Sequence, residues 1–419
     1  MSESLEEQDD LPRHVPAEYV VACRSCGESR LERILDLGTT PLANELRRDP
    51  AVQQAMYPLA VVLCPSCSLV QTSHRLPGEV LFGRSYPYFS SVSNAYLKHA
   101  SEHARELIAR RRLGRDSFVV EVASNDGYLL SNFVDRGIPV LGIDPADGPA
   151  AVARARGVET LVEYFGMDVA LRLRNQGIRA ELILGNNVLA HVNDVNDFVA
   201  GVACLLKEEG EAVFEVPYLL DMVERCAFDT IYHEHNCYFS LTALRNLFER
   251  HGLRMVDVRR LPVHGGSLRI TVAMCGEPSA AVLECLAVER ALCVADRHYY
   301  ESFQRRVRRS LDLLRSLLNE IRAEGKCIAA YAAAAKGAVI INGAGLDQED
   351  IAYVVDRNPR KQNNYMPGSR IPIVHPDKLR TDPPDYLLVF AWNLVDEIRS
   401  QLTDFKGRYI VPIPEPRVI

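Results

Sequence analysis

The chain has a single tryptophan in 419 residues, no excess of positive charge, and no uninterrupted apolar run of spanning length. Each shortage closes a class of reading. A membrane-crossing helix needs roughly 18 consecutive apolar residues, and the most apolar segment, Cys327 to Leu346, is broken by Lys336 and several glycines. With 48 Lys and Arg against 55 Asp and Glu, the net charge is −7, so binding nucleic acid by phosphate neutralisation is not expected. The opening decapeptide, Met1 to Asp10, is acidic where a secretory leader would be basic and then apolar, and a cytoplasmic protein is the expectation. Three catalytic signatures are also missing. No G-x-G-x-x-G marks a dinucleotide site. The position four after His233 is Cys237, not the second histidine of a zincin. The loop His264-Gly265-Gly266-Ser267 has the look of an esterase oxyanion loop, but no G-x-S-x-G nucleophile elbow accompanies it.

What is present is a globular composition. A hydrophobic fraction of 47%, a charged fraction of 25% and a mean hydropathy of −0.07 suit a soluble chain, and the length suits about three domains. We expect their bounds at residues 1–85, with an acidic tail, 86–277, and 278–419, the last opening with a helical connector.

Four of the 11 cysteines form a pattern, Cys23-x-x-Cys26 and, after 37 intervening residues, Cys64-x-x-Cys67. Two such pairs can place four thiolates on one ion, the all-sulfur tetrahedral set that zinc favours. With all four positions taken by sulfur, the metal is expected to be structural. A redox dithiol would need only one pair. The other seven cysteines show no ligand spacing and are expected to be mostly core thiols.

From Phe118 the chain reads strand, turn, helix: Phe118 to Val122, then Ala123-Ser124-Asn125-Asp126-Gly127, then Tyr128 to Phe133. That opens a doubly wound α/β domain. A second strand, Val140 to Asp144, ends in a carboxylate suited to the two hydroxyls of a ribose. S-adenosylmethionine (SAM) has no pyrophosphate, so a turn with Glu121 and only Gly127 can cradle it where a dinucleotide would need more glycines. A fourth strand from Leu182 is expected to end in Asn186, Asn187 and His191. Asn125, Asp126 and Asn187 could each be ordinary helix caps, but three polar strand ends in register favour a ligand.

The third region begins with helical sequence, in which Leu311, Leu313, Leu314, Leu317 and Leu318 are set among arginines. Strands follow at Cys327–Ala332, Tyr353–Asp356, Tyr386–Phe390 and Tyr409–Pro412. In the turn Ala333-Ala334-Ala335-Lys336-Gly337, small residues would admit a phosphate and Lys336 could pair with it.

The most informative segment is Asp229 to Ser240, in which Tyr232, His233, Glu234 and His235 set four titratable groups side by side. Phenol, imidazole and carboxylate together suit proton transfer near neutral pH. The bland alternative is a solvated loop or surface metal site.

Taken in order, the four-cysteine domain, Ser85-Tyr86-Pro87-Tyr88-Phe89-Ser90-Ser91, Glu121-x-x-x-Asn125-Asp126-Gly127, Asn186 to His191 and Tyr232 to His235 resemble the SAM-dependent sugar C-methyltransferases. Members of that family methylate C-3′ of nucleotide-linked 4-ketodeoxysugars on routes to antibiotic sugars. One departure is Ala123, where methyltransferase loops usually carry glycine. The resemblance implies an α/β architecture with a small zinc-binding domain over 1–85, a Rossmann-like methyltransferase domain over 86–277 and a helical connector with a second α/β domain over 278–419, with SAM and structural zinc as cofactors and a thymidine-diphosphate sugar as substrate. It implies His235 as base with Glu234 beside it, Tyr232 and Tyr86 as donors to the ketone oxygen, and His191 near the methyl-transfer locus. The cofactor would be held by Glu121, Ala123, Asn125, Asp126, Gly127, Asp144, Asn186 and Asn187. By the same resemblance, Lys336, Asn358, Lys361, Tyr365 and Trp392 are substrate-binding candidates in a Rossmann-like C-terminal domain. A monomer is expected. The competing readings are a SAM enzyme for another acceptor, a non-catalytic zinc-containing protein that binds SAM or a nucleotide-sugar, and, third, a dehydrogenase.

Overall fold

The computed structural model describes residues 16–81, 89–92 and 94–419. The N-terminal region carries β1 (Glu18–Tyr19), β2 (Glu32–Thr40), β3 (Tyr57–Leu63), β4 (Val70–Thr72) and β5 (His74–Arg75). β2, β3 and β4 form an antiparallel meander, and β1 pairs with β5. Every residue of β3 except Pro58 is buried, as an unbroken apolar strand between two covered faces requires. Leu59, Val61 and Leu63 share a core with Phe303, Val307 and Ile340 of the C-terminal region. Cys64, Cys67 and Leu69 join the core of the central region. The N-terminal sheet is thus a wedge packed on both neighbours.

The central region contributes β6 (Val119–Val122), β7 (Val140–Ile143), β8 (Thr160–Leu161), β9 (Ala180–Asn186), β10 (Leu206–Pro217), β11 (Cys237–Tyr238), β12 (Arg254–Leu261) and β13 (Ser267–Ala273). Seven of these make one sheet in the order β12-β13-β10-β9-β6-β7-β8. The run from β10 to β8 is parallel, while β13 is antiparallel to both β10 and β12. The order reverses between β6 and β9, so a crevice opens at their carboxyl ends, where ligands of such sheets bind. Helix Asn94–Arg111 covers one face with Ala100, Ala104 and Leu107, one helical turn apart. Helix Val195–Leu205 covers the other with Phe198, Val199 and Val202. The expected Rossmann-like methyltransferase fold is present.

β11 lies outside this sheet. It pairs antiparallel with β4, extending the N-terminal meander to the order β11-β4-β3-β2.

Helices Ala280–Ala291 and Glu301–Ala323 lead to the last region. In the longer helix the buried positions are Phe303, Val307, Ser310, Leu314, Leu318 and Ile321, spaced three or four apart as one helix face demands. Of the five leucines set among arginines, Leu314 and Leu318 are buried, Leu311 and Leu317 pack partly buried against the same core, and Leu313 is 39% exposed. Leu313 lies about 100° round the helix from Leu314 and faces solvent. β14 (Ile328–Tyr331), β15 (Val354–Val355), β16 (Ile373–Val374), β17 (Tyr386–Val389), β18 (Arg408–Val411) and β19 (Arg417–Val418) then form a sheet ordered β16-β15-β14-β17-β18-β19. It is parallel except at β19. Among the described residues no helix is long and apolar enough to cross a membrane.

The expected fourth strand, here β9, stops at Asn186, and His191 sits in a separate 3-10 turn, Leu189–His191. Asn187, at φ +55°, turns the chain between them. The loop after β6 bends similarly, with Ala123 at φ +58°, Asn125 at +49° and Gly127 at +75°. A Cβ on Gly127 would meet Val158 Cγ2 at 3.1 Å and Ala153 Cα at 3.2 Å. Gly127→Ala combines a disfavoured φ with this crowding and should lower stability by about 1–3 kcal/mol; an unchanged thermal unfolding midpoint would contradict it.

Candidate active site

Two turns carry the metal ligands. In the first, the Gly27 amide donates to Cys23 O at 2.9 Å with Gly27 at φ +75°. In the second, the Ser68 amide donates to Cys64 O at 2.8 Å with Ser68 at φ +65°. These turns point all four sulfurs inward, so that the ligand atoms of Cys23, Cys26, Cys64 and Cys67 lie within 4.8 Å of one another. Cys23 Sγ is 3.5 Å from Cys67 Sγ, and Cys26 Sγ is 3.5 Å from Cys64 Sγ. Zinc–sulfur bonds of about 2.3 Å in a tetrahedron place sulfurs about 3.8 Å apart, so the set fits the ion. Burial pushes the Cys64 thiol up to about 11, and the neighbouring Cys23 thiol and burial raise Cys67 as well. Ionising such thiols requires a cation among them, and a zinc ion supplies that charge.

The titratable run is joined to this domain through backbone. Cys237 pairs with Gln71, Tyr238 pairs with Val70, and the Thr72 amide donates to Asn236 O at 2.9 Å. β4 begins three residues after Cys67, so the metal turn sets the register of the segment that ends in His235. Within it, His235 Nδ1 lies 2.6 Å from Thr230 O. A carbonyl only accepts, so Nδ1 carries the proton and Nε2 is the basic nitrogen. The His235 ring is 4.1 Å from that of Tyr232 and 4.7 Å from that of His191. His191 Nδ1 donates to Glu234 O at 2.8 Å, and burial holds His191 down to about 4. Asn44 Nδ2 donates to Glu234 Oε1 at 2.7 Å. His233 turns the other way, with Nε2 donating to Pro58 O at 3.3 Å and its ring edge-on to Tyr57. It braces the run against β3.

The cofactor candidates gather at the tips of β6, β7 and β9. Glu121 is fully buried, and among the described residues neither carboxylate oxygen has a partner at hydrogen-bond geometry. Burial, then Asp144 and Asp126, raise it well above the carboxylate range. A cationic ligand group would relieve that cost, and SAM carries one. Asp144 ties two loops, accepting from the Asn125 amide through Oδ2 and the Ala146 amide through Oδ1, both at 2.9 Å. Asn125 Oδ1 accepts from the Ser90 amide at 2.8 Å, and Asp126 Oδ2 accepts from Ser91 Oγ. These two side chains hold segment 89–92 over the strand ends. Asn186 and Asn187 reach the hydroxyls of Tyr128 and Tyr96 at 3.4 and 3.3 Å.

From the C-terminal sheet, Lys336 and Trp392 meet Asp229. Trp392 Nε1 donates to Asp229 Oδ2 at 2.7 Å, and Lys336 Nζ is 4.0 Å from that oxygen. Lys361 Nζ donates to Ala333 O at 2.7 Å, bracing the turn before Lys336. Asn358 Oδ1 accepts from the Arg360 amide at 3.0 Å. Tyr365 bridges to Arg47 and Pro372 by backbone. Tyr86 lies outside the described residues. Sequence reasoning missed Asn44, Asp229 and Thr230 in the reaction region and Tyr96 and Tyr128 beside the cofactor candidates. Asp229 and Thr230 stood within the singled-out run, whereas Asn44 carried no local signal.

Family models match residues 23–82 as a zinc-binding domain, 96–258 as a methyltransferase domain, and 262–414 as a C-methyltransferase C-terminal domain. The chain is 39% identical over 405 residues to the C-methyltransferase NovU of Streptomyces niveus, covering 95% of this chain and 96% of that protein. A ubiquinone biosynthesis O-methyltransferase of Bartonella quintana is 23% identical over 155 residues, 33% of this chain and 61% of that one. Among solved structures, magnesium protoporphyrin IX methyltransferase (ChlM) from Synechocystis PCC 6803, with bound SAM, is 11% identical with a TM-score of 0.34, covering 43% of this chain and 80% of that chain. The chain belongs to the C-methyltransferase family. It is a SAM-dependent C-methyltransferase with a structural zinc domain.

Two outcomes follow for stability. Removing zinc with a chelator, or Cys64→Ser, should remove metal, soluble folded protein and turnover together, checked by metal analysis, sedimentation and assay; a metal-free, soluble and fully active variant would contradict the structural role. Burial also holds His103 down to about 3 and His233 down to about 4. Below about 6.5 the unfolded chain binds protons on these histidines that the folded chain refuses. Stability should therefore fall as pH drops from about 6.5 toward 4, and replacing His103 by a neutral residue should flatten that slope in urea titrations.

Proposed function

We propose that this C-methyltransferase methylates C-3′ of a nucleotide-linked 4-ketodeoxysugar, with thymidine diphosphate as the nucleotide, through an enolate. The observation that carries the reading is the His235 tautomer. Its Nδ1 proton is committed to Thr230 O, so Nε2 is the nitrogen able to take a proton, on a ring 4.1 Å from that of Tyr232 and 4.7 Å from that of His191. An unactivated sugar carbon is no nucleophile, whereas a carbon beside a ketone becomes one once its proton is removed. The residues around His235 are those such a reaction needs.

His235 Nε2 removes the C-3′ proton, and the electron pair moves onto the C-4′ oxygen. Tyr232 and Tyr86 are the donors proposed for that oxygen, a phenol being well matched to a developing enolate. The enolate re-forms the ketone as C-3′ takes the methyl group. His191, held neutral by burial, contributes a polar wall without a charge. Glu234, fixed by Asn44, orients the base or shares its proton. SAM, when bound, supplies an electrophilic methyl on a positively charged sulfur. Glu121, Ala123, Asn125, Asp126, Gly127, Asp144, Asn186 and Asn187 are proposed to hold it. On the other side, Lys336, Asn358, Lys361, Tyr365 and Trp392 are proposed to face the nucleotide-sugar. A monomeric, cytoplasmic enzyme of antibiotic-sugar biosynthesis is part of the same reading.

The test is mass spectrometry of enzyme, SAM and a thymidine-diphosphate 4-keto-6-deoxysugar in deuterated water. The expected product is heavier by one methyl and appears with S-adenosylhomocysteine; the absence of both methylation and deuterium uptake would refute the acceptor. His235→Ala should lower turnover by roughly 10²–10⁴ while SAM affinity measured by calorimetry stays the same. Asn44→Ala removes the Nδ2 donor to Glu234 Oε1 and should cost about tenfold in kcat, with zinc content unchanged.

A further inference from the structure

The C-terminal sheet reaches the reaction region through a contact that the proposed function does not use. Asp229 is fully buried at the centre of a 3-10 turn, Phe228–Thr230. The same turn supplies, one residue on, the Thr230 carbonyl that accepts from His235 Nδ1 at 2.6 Å. Thr230 Oγ1 donates to Ala227 O, just before the turn, at 2.7 Å. The turn is gripped from outside by Trp392 Nε1, at 2.7 Å from Asp229 Oδ2, with Lys336 Nζ at 4.0 Å. Lys336 also sits 5.1 Å from the centre of the Trp392 ring. Both residues follow adjacent strands of the C-terminal sheet, β14 and β17, at their carboxyl ends. A Cβ on Gly265, which has φ +93°, would lie 3.3 Å from Trp392 Cη2, so the indole fills the space between the central and C-terminal regions.

We infer that Trp392 and Asp229 are positioning residues: the C-terminal domain, through the indole–carboxylate hydrogen bond, holds the 228–230 turn whose carbonyl keeps His235 as its Nδ1–H tautomer. The lone tryptophan is suited to this. It is rigid, fills the interface and offers one N–H of fixed direction. A hydrogen bond to a buried carboxylate is among the stronger kinds. Losing the indole donor leaves the Asp229 carboxylate to Lys336 at 4.0 Å, and the peptide bearing Thr230 O shifts with it. The inference rests on His235 being the base, but its first readout does not depend on the acceptor.

The experiment compares full-length Trp392→Phe and Asp229→Ala enzymes with the unaltered one. Histidine ring ¹⁵N chemical shifts are recorded without sugar, and His235 is assigned by its loss in His235→Ala. The unaltered enzyme should show the Nδ1–H tautomer, and both variants a mixture of tautomers. With the keto-sugar above, Trp392→Phe should lower kcat by about tenfold or more, with SAM affinity unchanged. Wild-type ¹⁵N shifts in both variants would overturn the inference, as would a loss of SAM binding in step with turnover, which marks a merely structural contact. If the shifts move as expected and no keto-sugar is methylated even by the unaltered enzyme, the positioning role stands and the acceptor is wrong.

Discussion

The antiparallel pairing of Cys237 and Tyr238 with Gln71 and Val70 is the constraint on which the placement of the Tyr232–His235 segment depends. Two residues cannot form a stable strand by themselves. They hold because β4 is fixed three residues earlier by Cys67 and because β3 lies behind it, buried on both sides. The zinc domain therefore sets the register of a segment that belongs, in chain order, to the methyltransferase domain. A slip of one residue would turn Cys237 and Tyr238 over and carry His235 away from Thr230 and His191.

A second feature is where the backbone is forced. Ala123, Asn125, Asn187 and Ala332 all have positive φ, and each follows a strand at its carboxyl end. Such conformations cost of order 1–3 kcal/mol each for residues with a Cβ, and they recur where a ligand site has been read. Asparagine bears this cost more easily than most, since its side chain can bond locally. Ala123 adopts the conformation that explains why glycine is usual at that position.

Much of this architecture was legible beforehand. The C-x-x-C pairs are local, so their spacing alone foretells a site that the four sulfurs fill. The strand–turn–helix after Phe118 and the C-terminal strands are equally local, and apolar runs bounded by turn residues place them to within a residue or two. The leucines between 311 and 318 were less legible: Leu311, Leu314, Leu317 and Leu318 meet the core while Leu313 faces solvent, and composition does not say which side of a helix its neighbours will cover. His191 was placed on the end of a strand, since nothing in Val188-Leu189-Ala190 announces that Asn187 has already turned the chain.

The sequence by itself determined the metal ligands, the doubly wound central fold and the acid–base character of residues 232–235, because each depends on groups close together along the chain. Only the tertiary structure decided what those groups do. His233 and His235 are two residues apart and chemically identical, yet one is spent on Pro58 O and the other held by Thr230 O. Asn44 and Glu234 are 190 positions apart and meet at 2.7 Å. Trp392 finds Asp229 across two domains. Hydrogen bonds are short-ranged and directional, so a residue's partner, and with it the tautomer or charge it carries, is fixed only when packing brings distant segments to within about 3 Å.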